Sequence, residues 1–196
     1  LELMKQFVHE LHPTGLWKKF TDEEESLMYI DQTYTVPGVG LVLSGTVRKG
    51  TIKKGDILFI GPFSTRDDRY KRVVVKTLHN NVRQLVSELV SGDTGCLAVR
   101  TIKCNLKRHQ IDKGCIVSSK EQPATRILVA ELYILKTNRT TIKDGFEGVF
   151  YCRNVKCTAK ILEIYNKKNE KKEYLRAGHR AYVKFELINN GKYIEK

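Results

Sequence analysis

Apolar and polar residues alternate at a spacing of two through most of this chain, and glycine or proline interrupts each run. Met28, Ile30, Tyr34 and Val36 fall on one face of a first segment, with Gln32 interrupting. Val39, Leu41, Leu43 and Val47 fall on one face of a second, and residues 56–60 make a short, dense apolar third. This periodicity predicts half-buried antiparallel strands. Pro37-Gly38 ends the first, because proline offers no ladder donor and glycine accepts turn conformations. Residues 53–56 (KKGD) predict the next hairpin. After a polar loop at 64–71, Val73, Val75 and Thr77 resume the pattern, followed by residues 92–102 and 115–118. Glu121-Gln122-Pro123 reads as a boundary. Beyond it Ile127, Val129, Glu131, Tyr133 and Leu135 share a face, and residues 145–153, 155–164 and 179–188 supply further strands. The basic run 167–176 sits between two of these and reads as a hairpin tip. Only the start departs: Leu1, Met4, Val8 and Leu11, with Leu3 and Phe7 beside them, recur at helical spacing until Pro13 and Gly15. The expected fold is all-β: two consecutive antiparallel barrels, 27–119 and 120–196, preceded by a short helix and an acidic linker in 1–26.

Charge adds a second layer. The 196 residues carry a formal net charge of +13. Residues 1–26 hold 3 basic against 6 acidic side chains, 27–119 hold 15 against 7, and 120–196 hold 17 against 9. Both strand-rich segments are thus basic, as suits a polyanionic partner such as RNA; ordinary solubility is the plainer explanation. No apolar run approaches the ~18 residues a membrane span needs. The five cysteines form no C-x-x-C pair, and the reading is buried free thiols in a reducing cytosol.

Motifs that resemble catalytic signatures are incomplete. Residues 45–50 (GTVRKG) have the two glycines of a phosphate loop but continue Thr51-Ile52, without the Lys-Ser/Thr that meets phosphate and Mg²⁺. Asn166-Lys167-Lys168-Asn169 lacks the aspartate of a guanine-reading motif. The five histidines are scattered, and no paired carboxylates or nucleophile–base arrangement stands out. No catalytic or metal-binding residue is assigned, and the chain by itself is not expected to be an enzyme.

One stretch carries a resemblance. The run from Asp31 to Asp56, D-x-T-Y-x-V-P-G-V-G-x-V-x-S-G-T-V-x-x-G-x-I-x-x-G-D, resembles the start of the second domain of translational GTPases of the elongation-factor-Tu kind. The V-P-G-V-G wording and the trailing Ile60-Gly61-Pro62 are most similar to the GTP-binding-protein-one/two branch of that superfamily. The resemblance implies that 27–119 is a Greek-key second-domain barrel and 120–196 a third-domain barrel that lacks its closing strand or takes it from elsewhere. It implies that residues 1–12 are the remnant of a helix ending an upstream guanine-nucleotide domain, where GTP and Mg²⁺ would bind, with no cofactor in this segment. The implied partners are tRNA, the ribosome and that G domain, in the cytoplasm. The family's pocket for the terminal adenosine of tRNA aligns with Asp31, Val36, Val39 and Thr94. Val39 stands where tRNA-delivering members commonly have arginine, and Thr94 replaces an asparagine. The alternative is that Asp31 caps a strand end while Val36 and Val39 pack in the barrel mouth. Arg66, Arg69 and Arg72 in one loop, and Lys167, Lys168, Lys171 and Lys172 in another, are the candidates for RNA-backbone contacts. The competing class is a protein-interaction module docking exchange or RNA-decay factors.

Overall fold

A computed structural model describes residues 2–10, 25–63, 69–188 and 190–195. The chain passes through a helix, α1 (Glu2–Glu10), and then β1 (Leu27–Val36), β2 (Gly40–Lys49), β3 (Thr51–Lys53), β4 (Ile57–Gly61), β5 (Lys71–Asn80), β6 (Leu85–Val86), β7 (Glu88–Val90), β8 (Thr94–Thr101) and β9 (Ile116–Ser118). Six of these strands form a closed antiparallel barrel in the order β4-β9-β1-β2-β8-β5, with β5 pairing back onto β4. Closure gives each of the six a hydrogen-bonded neighbour on both sides. The interior is filled by Met28, Leu43, Val47, Leu58, Ile60, Val73, Val75, Leu97 and Val99, all buried. A ribbon of β3 and β7 adds Ile52 and Leu89 to the same core. The turn at 53–56 therefore leads from this ribbon into β4 and is not a hairpin between paired strands. It is held by Lys53 N–H donating to Asp56 Oδ2 at 2.7 Å.

The side-chain alternation does not run unbroken through these strands. Ile30 faces Gly45 and Gln32 faces Ser44, so Asp31 is an extra residue in β1. Such a bulge shifts every later side chain to the opposite face. Tyr34 and Val36, read from the sequence as sharing the face of Met28 and Ile30, consequently point outward and are exposed. In β5, Val75 pairs with Val99 and Thr77 with Ala98, which makes Lys76 the extra residue. Leu78, and not Thr77, is the fully buried side chain beyond it. A third irregularity, at Leu27/Met28, makes Arg48 the extra residue of β2.

The second half contains β10 (Ile127–Tyr133), β11 (Ile142–Lys143), β12 (Glu147–Cys152), β13 (Val155–Tyr165), β14 (Tyr174–Leu175) and β15 (Arg180–Leu187). Four of them form an antiparallel sheet in the order β10-β15-β13-β12, and β11 pairs with β14 in a separate ribbon. Ile142 and Leu175 of the ribbon pack with Ile134, Ile161, Ile164, Ala181 and Val183. The ribbon thus covers the sheet through side chains, with Gly145 N–H donating to Ile161 O at 2.8 Å where the two adjoin. The face of β10 that the alternation picks out (Ile127, Val129, Glu131, Tyr133, then Leu135) points to solvent. Leu128, Ala130 and Leu132 are the partly covered side, leading to buried Ile134.

Lys192 and Thr125 exchange backbone hydrogen bonds at 2.8 and 2.9 Å ahead of β10, and residues 193–195 then return to the barrel. Tyr193 packs on Leu27, Tyr70 and Ile116, on the outer side of the barrel strands. Glu195 Oε2 accepts from Tyr29 Oη at 2.7 Å and Arg48 Nε at 3.2 Å, and Arg153 Nη2 lies 3.8 Å away. Burial alone would raise the Glu195 carboxyl, but those two hydrogen bonds and the charges of Arg48 and Arg153 outweigh it and hold it below the usual glutamate range. Burial, then the bond to Glu195, pushes the Tyr29 hydroxyl well up.

The helix forms where its periodicity predicts. Leu3, Met4, Phe7 and Val8 on α1 are all exposed, and Leu1 and Leu11 lie outside the described residues. All five cysteines are free thiols, but only Cys115 is buried, which pushes its thiol up to about 11; the other four are partly exposed.

The glycines of residues 45–50 have structural duties that explain their spacing. A Cβ on Gly45 would run into the Tyr29 carbonyl of the neighbouring strand, and Gly50 takes φ +60° against the Glu25 carbonyl. Gly45→Ala is therefore expected to lower stability by roughly 3 kcal/mol or more, measured as a fall in the urea midpoint. Glu195→Gln should also destabilise the chain at neutral pH. Because the folded carboxyl titrates low, its contribution is present above the unfolded value of about 4.3 and fades as pH falls through the folded value. Urea unfolding of both proteins at a series of pH values should show the two stabilities converging in acid.

Candidate nucleotide-binding cleft

The bulge in β1 opens a feature of the barrel surface that gathers predicted and unpredicted polar groups. A cleft of about 240 Å³ is lined by Ile30, Asp31, Gln32, Thr33 and Tyr34 on one side and by Arg108, Ile111, Asp112 and Lys113 on the other. The second wall comes from the connection between β8 and β9, where a 3₁₀ turn at Arg108–Gln110 is followed by a reversal into Cys115. Cys115 N–H donates to Asp112 O at 3.1 Å, which fixes this wall to the start of β9. The surrounding protein partly desolvates the Asp31 carboxyl and raises its pKa. Tyr34 presents an exposed ring beside it, its hydroxyl bonded to Gln32 Oε1. An aromatic face, an aliphatic side chain, two carboxylates (Asp31 and Asp112) and two cations (Arg108 and Lys113) can together hold a base, a sugar hydroxyl and a phosphate.

The four residues aligned with the adenosine pocket are not gathered in one place. Asp31 lines the cleft. Val36 and Val39 flank the β1–β2 turn, about 16 Å along the strand from Asp31 at ~3.3 Å per residue. They are 37% and 39% exposed, so neither packs in the barrel mouth. Asp31 lies within β1 and not at its end, which removes the strand-capping alternative. Thr94 lines a different depression, with Asn80, Asn81, Glu88 and Asp93, and its hydroxyl sits 3.1 Å from that of Thr46. At the turn, Lys76 Nζ donates to Val39 O at 3.1 Å. A cation thus stands where the sequence showed only valine, supplied from the bulge in β5.

Of the backbone-contact candidates, Arg66 lies outside the described residues. Arg69 is exposed, and Arg72 is an exposed residue of β5 facing Phe59, so it belongs to a strand and not to the loop. Lys167 and Lys168 are exposed on a turn that Asn166 holds by accepting from the Lys168 and Glu170 amides at 2.8 and 2.9 Å. Lys171 pairs with Asp144 at 3.3 Å, and Lys172 is half-buried. Sequence reasoning missed Arg108, Ile111 and Lys113. They fall in a stretch without periodicity, and only the path of the chain brings them opposite Asp31. No helix among the described residues is long and apolar enough to cross a membrane. Among the same residues no group of three or more His, Cys, Asp or Glu side chains could hold a metal ion.

Asp31 should titrate above the ordinary value of about 3.9, read from its carboxyl ¹³C shift. A midpoint below that value would mean that Arg108 or Lys113 pairs with it. Ionisation is the disfavoured state here, so the raised pKa costs stability as pH rises. Asp31→Asn should match the parent at low pH and exceed it above both the unfolded and folded values.

No protein-family model matches the chain. GTP-binding protein 1 of Xenopus laevis is 34% identical to it over 196 residues, which takes in 99% of this chain and 27% of that protein. GTP-binding protein 2 of Mus musculus and of Homo sapiens are each 31% identical over 202 residues, covering all of this chain and 31% of those proteins. The chain therefore spans about three-tenths of the length of these curated relatives, and along its whole length it is homologous to a segment of the GTP-binding protein 1 and 2 branch.

Proposed function

We propose that this segment is the RNA-facing, non-catalytic part of a translational GTPase, with 27–119 and 120–196 as its second and third domains. The observation that carries the reading is the cleft, where the β1 bulge sets Asp31 and Tyr34 against Arg108, Ile111 and Lys113. Tyr34 stacks on a terminal base, Asp31 accepts from its amino group or the ribose hydroxyl, and the two cations meet phosphate. Val36 and Val39, with Lys76 at their turn, extend the same outer surface toward the neighbouring nucleotides. Lys167, Lys168 and the arginines Arg69 and Arg72 add sequence-independent backbone attraction. GTP and Mg²⁺ bind in a G domain elsewhere in the cytoplasmic parent protein. The relatives are named for GTP binding, and here the phosphate-loop look-alike is spent in β2 and its following turn. Leu3, Met4, Phe7 and Val8 of α1 then face that G domain.

One observation favours a protein partner as a second reading. Ile127, Val129 and Tyr133 are exposed together along β10, an edge strand of its sheet, with exposed Leu135 just beyond it, which is the surface an exchange or RNA-decay factor would cover.

Binding of tRNA ending in intact CCA and of tRNA trimmed of its adenosine, compared at several salt concentrations, tests the first reading. Asp31→Ala should abolish discrimination between the two while leaving the salt slope unchanged, whereas Val36→Asp, out at the β1–β2 turn, should weaken both tRNAs alike. Replacing Lys167 and Lys168 by alanine should flatten the log–log slope by about 0.7 to 0.9 for each phosphate no longer neutralised, without altering discrimination. A parent chain that never distinguishes the two tRNAs removes the cleft assignment.

A further inference from the structure

The turn between β12 and β13 reaches from the second sheet into the backbone of the barrel. Asn154 Nδ2 donates to Cys115 O at 2.8 Å and to Ile30 O at 3.4 Å. Ile30 N–H also donates to Cys115 O, at 3.4 Å, so the two barrel residues and the amide form one small network. Both barrel residues are buried, Ile30 at 5% and Cys115 at 1% exposure. Each belongs to, or adjoins, a different wall of the cleft. Ile30 begins the wall that continues through Asp31 to Tyr34. Cys115 follows the wall of Arg108 to Lys113 and is bonded to Asp112. The same turn is fixed from its other end: Arg153 lies by Glu195, which is bonded to Tyr29, the residue before Ile30. Val155 packs on Gly114, between Lys113 and Cys115.

We infer that Asn154 is a positioning residue for the cleft: by bonding one carbonyl from each wall, it makes the docking of the second sheet on the barrel and the spacing of the cleft a single linked equilibrium. A side-chain amide is suited to this because one NH₂ group can serve two acceptors. Without Asn154 the buried Ile30 carbonyl loses that donor and the Cys115 carbonyl keeps only the long 3.4 Å bond from Ile30 N–H, so the walls relax apart to find water or other partners. Linkage then works in both directions. A ligand that needs the walls at their present spacing strengthens the docking of the second sheet, and a change that lifts the second sheet weakens the ligand. For the nature of that ligand, the inference rests on the RNA-end reading above.

The test measures hydrogen exchange of the whole chain without ligand, for the parent, Asn154→Ala and Asn154→Asp. The aspartate variant keeps the side-chain volume and removes the donor, so it separates loss of the bond from loss of packing. Amides of residues 31–34 and 108–113 should exchange about tenfold faster in both variants, while those of Leu43 and Leu97 in the barrel core stay unchanged. The affinity for tRNA with intact CCA should drop by a similar factor in the same proteins. Unchanged exchange at both walls, or a uniform rise that includes Leu43 and Leu97, would overturn the inference. Faster wall exchange together with a parent chain blind to the tRNA terminus would support the positioning role and remove the RNA-end reading. The two ideas therefore fail separately.

Discussion

Antiparallel pairing fixes a side-chain period of two, and in a closed barrel one face of every strand must be apolar. Three charged side chains on this barrel emerge where that rule is broken by a single extra residue. Asp31 leaves the ladder of β1 and enters the cleft. Arg48 leaves that of β2 and reaches Glu195, and Lys76 leaves that of β5 and reaches the Val39 carbonyl. Each of the three is charged and directly follows an inward apolar residue (Ile30, Val47, Val75), so it stands on the outward side. Bulges thus let charged groups emerge at chosen points without opening the core, whose buried residues continue on either side of them.

This is also why the fold was legible in the sequence and the site only partly so. Strand existence follows from alternation and turn residues, and both survive a bulge, so β1, β2, β4, β5, β8 and β10 fall where the pattern puts them. The faces of their later residues do not, because one inserted position reverses them. Tyr34 and Val36 look like core and are surface, while Leu78 looks like surface and is core. At β10 the apolar alternation is real on both faces, so the sequence could not choose between Ile127-Val129-Tyr133 and Leu128-Ala130-Leu132. The short strands β3, β6 and β7 have too few residues to show any period. Asp31 was reachable through the resemblance of its surrounding run, whereas Arg108 and Lys113 depend on a tertiary path that no local pattern encodes.

The two β assemblies meet through apolar contacts of Tyr193 and Val155 and through polar groups acting at backbone and carboxylate. Tyr193 adds its ring to Leu27, Tyr70 and Ile116, but the definition of the junction comes from Glu195 and Asn154. Hydrogen bonds of this kind tolerate little displacement, so they set relative position more sharply than hydrophobic contact, which is non-directional.

Residues 193–195 are contiguous in sequence with the second sheet but belong by packing to the outside of the barrel. The unit that evolution or an engineer could transplant is therefore not bounded where the chain crosses from β9 to β10. A barrel excised at that crossing would strip Leu27, Tyr70 and Ile116 of the Tyr193 ring and take the Glu195 carboxylate away from Arg48. Sequence modularity and structural modularity disagree in this molecule by one short terminal segment, and a recombination that respects only the first would inherit an adhesive surface.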